Sequence, residues 1–379
     1  MRNSRRSAVD PFIVMDVMEA ARAAEAAGRH IIHMEVGQPG TPAPKGALEA
    51  AEQAMRADAL GYTVALGLPE LRARIARLYK DWYNVELDPG RVIVTSGSTA
   101  AFLLAFTALF DSGDRVGIGA PGYPSYRQIL RAMDMEPVMI QAAAENRLQP
   151  VPGDLPEGLA GLMVASPANP SGTMLDRAGL AALIGAAHGQ GAAFISDEIY
   201  HGIEYEKKAV SALEISDDVY VINSFSKYFS MTGWRIGWMV VPEDHVRVIE
   251  RIAQNMFICP PHISQVAALA AMECDAELQG NLAVYTENRR LMMEGLPQAG
   301  FTRIAPPDGA FYVYADVSEF TEDSRAFAAE ILERAGVAVT PGLDFDEARG
   351  AQTLRFSYAR STGDIIEGLA RLRAFMASR

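Results

Sequence analysis

Cysteine is nearly absent: 379 residues hold two, Cys259 and Cys274. Two thiols build no disulfide framework, and these form neither a CxxC pair nor part of a metal cluster. That usage points to a reducing, cytoplasmic compartment, with no metal centre expected. Long apolar runs are missing as well. No segment approaches the roughly 20 residues that span a bilayer, and the opening MRNSRRSAVDPFIV is basic but lacks the apolar stretch of a signal peptide. A soluble protein is expected. Positive charge is in deficit, with 34 Lys and Arg against 47 Asp and Glu, a net charge of −13 and a pI near 5.0. Nucleic acid and anionic membranes are therefore excluded as natural partners, and any anion site must be built locally from a few placed donors. Neither a GxGxxG dinucleotide fingerprint nor a GxxxxGK[ST] phosphate loop occurs. There is no internal repeat, low-complexity tract or Gly/Ser linker.

What remains is an ordinary globular composition, 49% hydrophobic and 21% charged, at a length that favours a large core with a second lobe. Short apolar runs alternate with amphipathic runs of helix length. The pattern predicts strands at Val92–Thr95, Arg115–Gly119, Pro137–Gln141, Gly161–Ala165, Ala193–Asp197, Val219–Ile222 and Ile236–Val241. Helices are expected between them, as at Ala100–Phe110, Asp176–His188 and Asp244–Met256. Alternating β and α with Val-, Ile- and Ala-rich strands argues for an α/β fold whose mostly parallel sheet is covered on both faces. After Cys274 the pattern changes to a long charged helix (Ala276–Leu296), two strands (Phe311–Ala315 and Gln352–Ser357) and two helices (Asp323–Ala335 and Gly363–Ala377). The expected division is a large domain over residues 45–275 and a small α+β domain over 276–379. Residues 1–44, with a helix at Phe12–Ala27, should pack on the small domain. Arg289 and Arg290, on the long helix, are expected to face solvent, and EYEKK (204–208) should be a solvated loop.

In such sheets ligands sit at the carboxyl ends of strands beside helix N-termini, and the unusual residues lie there. VIVTSGSTAAF (92–102) sets Gly97, Ser98 and Thr99 at a helix start, which is either a plain N-cap or an anion site. APGYPSY (120–126) offers Tyr123 in a stiff turn, as a stacking plate or a core aromatic. ASPANPSGTM (165–174) brackets Asn169 with Pro167 and Pro170, which fix the backbone around it. FISDEIYH (194–201) ends a strand in Asp197, with Tyr200 following. Asp after a strand is commonly a helix cap, yet a buried carboxylate needs a cation or several donors. NSFSKYFSMTGWRIGW (223–238) carries Lys227 and Arg235 in an apolar stretch without one acid. Their compensation must come from outside the local sequence.

One ligand uses all of these groups: a planar, phosphorylated pyridine aldehyde, pyridoxal 5′-phosphate. Lysine can form an imine with an aldehyde once its amine loses a proton. A carboxylate facing the pyridine nitrogen keeps that nitrogen protonated, and the phosphate would compensate Arg235.

The chain resembles the fold type I pyridoxal-phosphate enzymes, specifically the class I/II aminotransferases. The resemblance runs from EVGQPG (35–40) to LRFSYA (354–359). It is most specific at SFSKYFSMTGWRIGW, SPANPSG and SDEIY, with GYTVALGLPELR, PPDGAFYVY and VAVTPGLDF as further landmarks. It implies a seven-stranded sheet sandwiched by helices and a reaction in two halves, moving an amino group from an amino acid to a 2-oxo acid. Lys227 would be the Schiff-base lysine, Asp197 the partner of the pyridine nitrogen, and Asn169 and Tyr200 the partners of the ring's 3′-oxygen. Tyr123 would stack on the ring. Gly97, Ser98, Thr99, Ser224 and Arg235 would hold the phosphate, joined by Tyr62 from a second subunit of a homodimer, with Ser226 as a further phosphate donor. Arg355 would clamp the substrate carboxylate, with the Gly37 backbone nearby. A β-eliminating carbon–sulfur lyase would use the same electron sink and is the alternative. An aminotransferase-like transcription regulator would need a basic DNA-binding segment ahead of this fold, and only about ten residues precede the first helix.

Overall fold

The computed structural model describes residues 1–379. The chain enters through α1 (Ile13–Ala26) and β1 (Ile32–His33), then α2 (Lys45–Ala57) and α3 (Pro69–Tyr83). A run of alternating elements follows: β2 (Val92–Thr95), α4 (Ser98–Leu109), β3 (Arg115–Ala120), α5 (Pro124–Ala132), β4 (Glu136–Gln141), β5 (Gly161–Ala165), α6 (Arg177–Gly189), β6 (Ala193–Asp197), β7 (Tyr220–Ser224) and β8 (Gly237–Val240). Helices α7 (Val246–Met256) and α8 (His262–Ala271) complete this part.

Its strands form one seven-stranded sheet in the order β2-β8-β7-β6-β5-β3-β4. All neighbours are parallel except around β8, which runs antiparallel to both β2 and β7. Successive residues go to opposite faces, as the period of two requires. Val92, Val94, Leu162, Val164 and Phe194 join one core. Ile93, Met163 and Ile195 join the other, where Phe102 and Phe106 of α4 meet them. Burial on both faces is why these strands read as unbroken apolar runs.

The remaining elements are α9 (Asp275–Gln298), β9 (Arg303–Ala305), β10 (Tyr312–Asp316), α10 (Ser324–Ala335), β11 (Val337–Ala338), β12 (Thr340–Pro341), β13 (Thr353–Ser357) and α11 (Thr362–Ala377). An antiparallel sheet runs β12-β13-β10-β9. The N-terminal β1 pairs in parallel with β11, so the two ends of the chain pack together. No helix is long and apolar enough to cross a membrane.

Two local expectations need correction. Arg290 is half-exposed between Glu287 and Glu294, but the Arg289 side chain is only 18% exposed. Its Nε donates to the Pro307 carbonyl at 2.7 Å and its guanidinium lies 5.1 Å from the Tyr205 ring. An arginine on a charged helix can thus bury its planar head when a carbonyl and an aromatic face accept it. The EYEKK run is likewise solvated only at Glu206, Lys207 and Lys208; Glu204 and Tyr205 turn inward, and the Tyr205 hydroxyl donates to the Ala310 carbonyl.

Candidate active site

The carboxyl ends of β5, β6 and β7 and the N-terminus of α4 open onto a cavity of about 220 Å³, closed on its far side by α1 and by β13. Three cations line it, Lys227, Arg235 and Arg355. Every hydrogen-bond acceptor they have is neutral. Lys227 Nζ donates to the Gly37 carbonyl at 2.6 Å, and Arg235 to the Thr232 carbonyl at 2.9 Å. Arg355 donates to the Asn169 amide oxygen at 2.9 Å, to the Thr340 hydroxyl at 3.3 Å and to the Glu35 carbonyl. Its buried Nε has no partner. The site is electropositive and arranged to receive anions.

Arg355 is held on β13 between the rings of Tyr312 and Phe345, 4.4 and 4.7 Å from its guanidinium carbon. It grips the Asn169 Oδ1, which leaves the Asn169 NH₂ to donate into the cavity. Proline has no N–H to continue a ladder, and Pro167 and Pro170 release the chain from β5 at this point. Asp197, the last residue of β6, is 3% exposed. It accepts from the Tyr126 hydroxyl and, at 3.1 Å, from the Ile199 N–H. Burial pushes its pKa up to about 6, against the pull of those two donors and of Lys227. Burial, reinforced by the positive charges of Arg355 and Arg235, pushes Lys227 down to about 8 despite Asp197. The lysine is therefore within reach of its free-amine form near neutral pH. Tyr200 meets the Tyr312 hydroxyl at 2.7 Å, and Tyr123 packs edge-on against Tyr126 and Phe12.

Gly97, the N-cap of α4, has a φ of +79°, and the helix has neither a side-chain cap nor an acid in its first turn. A β-carbon at Gly97 would lie 2.5 Å from an Arg235 guanidinium nitrogen. Only glycine lets the arginine lie against the free N–H groups of the helix start, and the two together make an anion cradle. Ser98, Thr99 and Ser226 line the cavity with them. Ser224 lies one layer behind, its hydroxyl in reach of Ser226 Oγ at 2.8 Å and of the Ile236 carbonyl at 3.1 Å. Tyr62 is 84% exposed and lies outside the cavity of its own chain. Gly37 lies inside it, where a β-carbon would stand 2.1 Å from the Tyr312 hydroxyl.

Sequence reasoning missed Tyr126, Tyr312, Phe12 just ahead of α1, and the α1 side chains Val14, Met15 and Met18, all of which line the cavity. Tyr126 had a signal, one helical turn after Tyr123; Tyr312 had none beyond its place in a landmark motif. A larger cleft of about 500 Å³ lies between Leu148 and Ile304. It carries no free charge, because Arg147, Arg303 and Arg349 are each paired with acids.

The donor set suits pyridoxal 5′-phosphate: an imine-forming amine, an opposed buried carboxylate and an uncompensated phosphate cradle. With the sheet order above, it defines a fold type I enzyme. The sequence profile of the family described as aminotransferase class I and II matches residues 29–372, and the chain belongs to that family. It is 45% identical over 385 residues to a valine–pyruvate aminotransferase of Mycobacterium tuberculosis, covering 100% of this chain and 99% of the relative. A crystal structure of an aminotransferase from that organism, 44% identical, superposes with a TM-score of 0.98 over 100% of both chains. The Thermus thermophilus aspartate aminotransferase with maleate is 30% identical, with a TM-score of 0.92 over 99% of this chain and 100% of that one. The protein is thus an aminotransferase, an enzyme that moves an amino group between an amino acid and a 2-oxo acid. That decides between transfer and elimination, which the residues alone left open.

Proposed function

We propose that the enzyme works with pyridoxal 5′-phosphate carried on Lys227, and that its amino-acid substrate has an uncharged, apolar side chain, with valine and pyruvate as the leading pair. The observation that carries the cofactor is the placement of Lys227 and the buried Asp197 on one cavity, beside an acid-free Arg235 at an uncapped helix start. When bound, the cofactor supplies an aldehyde that takes up the amino group and a ring that accepts the electron pair left at Cα.

The protein's part is to bind, orient and move protons. Arg355 forms a bidentate pair with the substrate carboxylate, next to the Gly37 backbone. Lys227, as the free amine, would take the proton from the substrate Cα and deliver it to the former aldehyde carbon of the cofactor, which keeps the nitrogen when the 2-oxo acid leaves. Asp197 keeps the ring nitrogen protonated, and that cation offsets the cost of burying the carboxylate. Asn169 and Tyr200 hold the ring's 3′-oxygen, and Tyr123 stacks on the ring face. Gly97, Ser98, Thr99, Ser224 and Arg235 take the phosphate, with Tyr62 of a second copy in a homodimer. The same reading keeps a large domain at 45–275, a small one at 276–379 joined by 1–44, and a cytoplasmic setting.

The apolar choice rests on the lining. A second substrate carboxylate needs a further cation, and the only cations here, Lys227, Arg235 and Arg355, already have tasks. Phe12, Val14, Met15 and Met18 instead offer hydrocarbon. The relative named for valine and pyruvate agrees with this. To test it, the loaded enzyme is offered valine or aspartate with pyruvate as acceptor. Valine should be the better donor by at least about tenfold in kcat/KM, because burying an unpaired carboxylate costs several kcal/mol. Equal rates would overturn the apolar assignment.

A further inference from the structure

Next to the site lies a buried histidine that the reaction does not use. His201 is 2% exposed and follows Tyr200 directly in the segment after β6. Its Nε2 is 2.9 Å from the Ser166 carbonyl and its Nδ1 is 2.6 Å from the Tyr83 hydroxyl. A carbonyl only accepts, so Nε2 must carry the hydrogen; Nδ1 is then a lone pair that accepts from Tyr83. One tautomer satisfies both contacts without charging the ring. Burial agrees, holding His201 down near 4. The neighbouring Glu198, 3.6 Å from Nδ1, does not require a cation either. Its carboxyl is served by Ser196, Ser211 and the Ala212 N–H, and burial pushes it up to about 8.

The Ser166 carbonyl lies at the root of the loop Ser166–Asn169, while His201 ends the loop that begins at Asp197. The Ser166 N–H already donates to the Asp197 carbonyl at 3.2 Å. The histidine adds a second tie, so two bonds join the segment bearing Asn169 to the one bearing Tyr200. We propose that His201, donating through Nε2–H, is a positioning residue that fixes the spacing of the Asn169 amide and the Tyr200 phenol, and so sets how tightly the oxygen-bearing edge of the cofactor is held. This rests on the cofactor reading above.

The experiment compares His201→Gln, which keeps an N–H donor at similar reach, with His201→Met, which keeps the length and loses the donor. Tyr83→Phe is the milder third variant, since without the Tyr83 hydroxyl the ring is free to adopt the other tautomer. Dissociation constants for pyridoxal 5′-phosphate are measured on the apo chain, with melting temperatures, and kcat and KM for valine on the loaded enzyme. His201→Met should weaken cofactor binding about tenfold, the worth of one hydrogen bond, and lower kcat while leaving KM for valine unchanged. His201→Gln should restore binding to within about threefold, and Tyr83→Phe should fall between them. Wild-type affinity in His201→Met, or equal losses in Met and Gln that track melting temperature, would make His201 a packing residue and overturn the proposal. Nitrogen-15 shifts of the apo wild type test the tautomer without cofactor: a hydrogen on Nδ1 also overturns it. Failure of the wild type to bind pyridoxal phosphate would instead sink the cofactor reading, and the nitrogen shifts would still judge the tie.

Discussion

Lys227 and Asp197 show how burial can prepare opposite groups for one task. Each is pushed toward its neutral form, the acid to about 6 and the base to about 8. For the lysine this has a sign that can be measured. Its pKa falls from 10.5 to about 8 on folding, so between those values the unfolded chain binds more protons than the native one. Stability of the apo enzyme attributable to Lys227 therefore rises as pH climbs from about 8 to about 10.5. Urea titrations across that window should show the slope in the wild type and its loss in Lys227→Met; parallel curves would mean that Lys227 titrates normally. Asp197→Asn should keep the fold and still retain pyridoxal phosphate, yet lose about 3–5 kcal/mol of transition-state stabilisation, measured as kcat/KM, because an amide cannot hold a ring proton. Activity near wild type would reduce Asp197 to a turn residue.

Among the elements, α1 depends most on distant residues. Its own sequence provides no cap, since Phe12 makes no side-chain bond to the helix. The cap is Asp344, buried to 1% exposure, whose two oxygens accept from the Ile13 and Val14 N–H groups at 3.0 Å each. It adjoins Phe345, which packs on Arg355, so the helix that walls the cavity and the arginine that faces it share one turn. Asp344→Ala should cost about 1 kcal/mol or somewhat more in urea unfolding and raise KM for valine several-fold, while cofactor affinity stays within twofold. An unchanged KM would mean that α1 does not wall the substrate. No window around the helix start could have revealed this cap, which lies 331 positions from Ile13. The antiparallel course of β8 was equally hidden, because strand patterning reports burial and not direction.

For the molecule as a whole, the open question is what covers Met55, Tyr62, Val64 and Ile258, all exposed large hydrophobic side chains. A second copy is the proposed cover, and Tyr62 the residue it would lend. A chain carrying Lys227→Ala and Tyr62→Phe, paired with a wild-type chain in a purified heterodimer, leaves one working lysine facing the mutant chain's phenylalanine. That site should bind pyridoxal phosphate about 1.5–3 kcal/mol more weakly than wild type, the value of a hydrogen bond to a charged group. Wild-type retention would show that Tyr62 serves its own chain or no site.

The sequence by itself determined the seven large strands to within a few residues: most are buried on both faces and leave a continuous apolar signature, and the mostly half-buried edge strand β4 still reads as a short apolar run. It also exposed the odd polar residues at strand ends, since Lys227 and Arg235 without an acid, or Asp197 closing an apolar run, conflict with their surroundings and the conflict is local. Only the tertiary structure decided what stands opposite them. Tyr126 on Asp197, Tyr312 and Phe345 around Arg355, Asp344 on α1 and His201 on Ser166 are contacts between segments far apart in the chain. Their signals are single side chains whose meaning depends on a partner that no local pattern specifies.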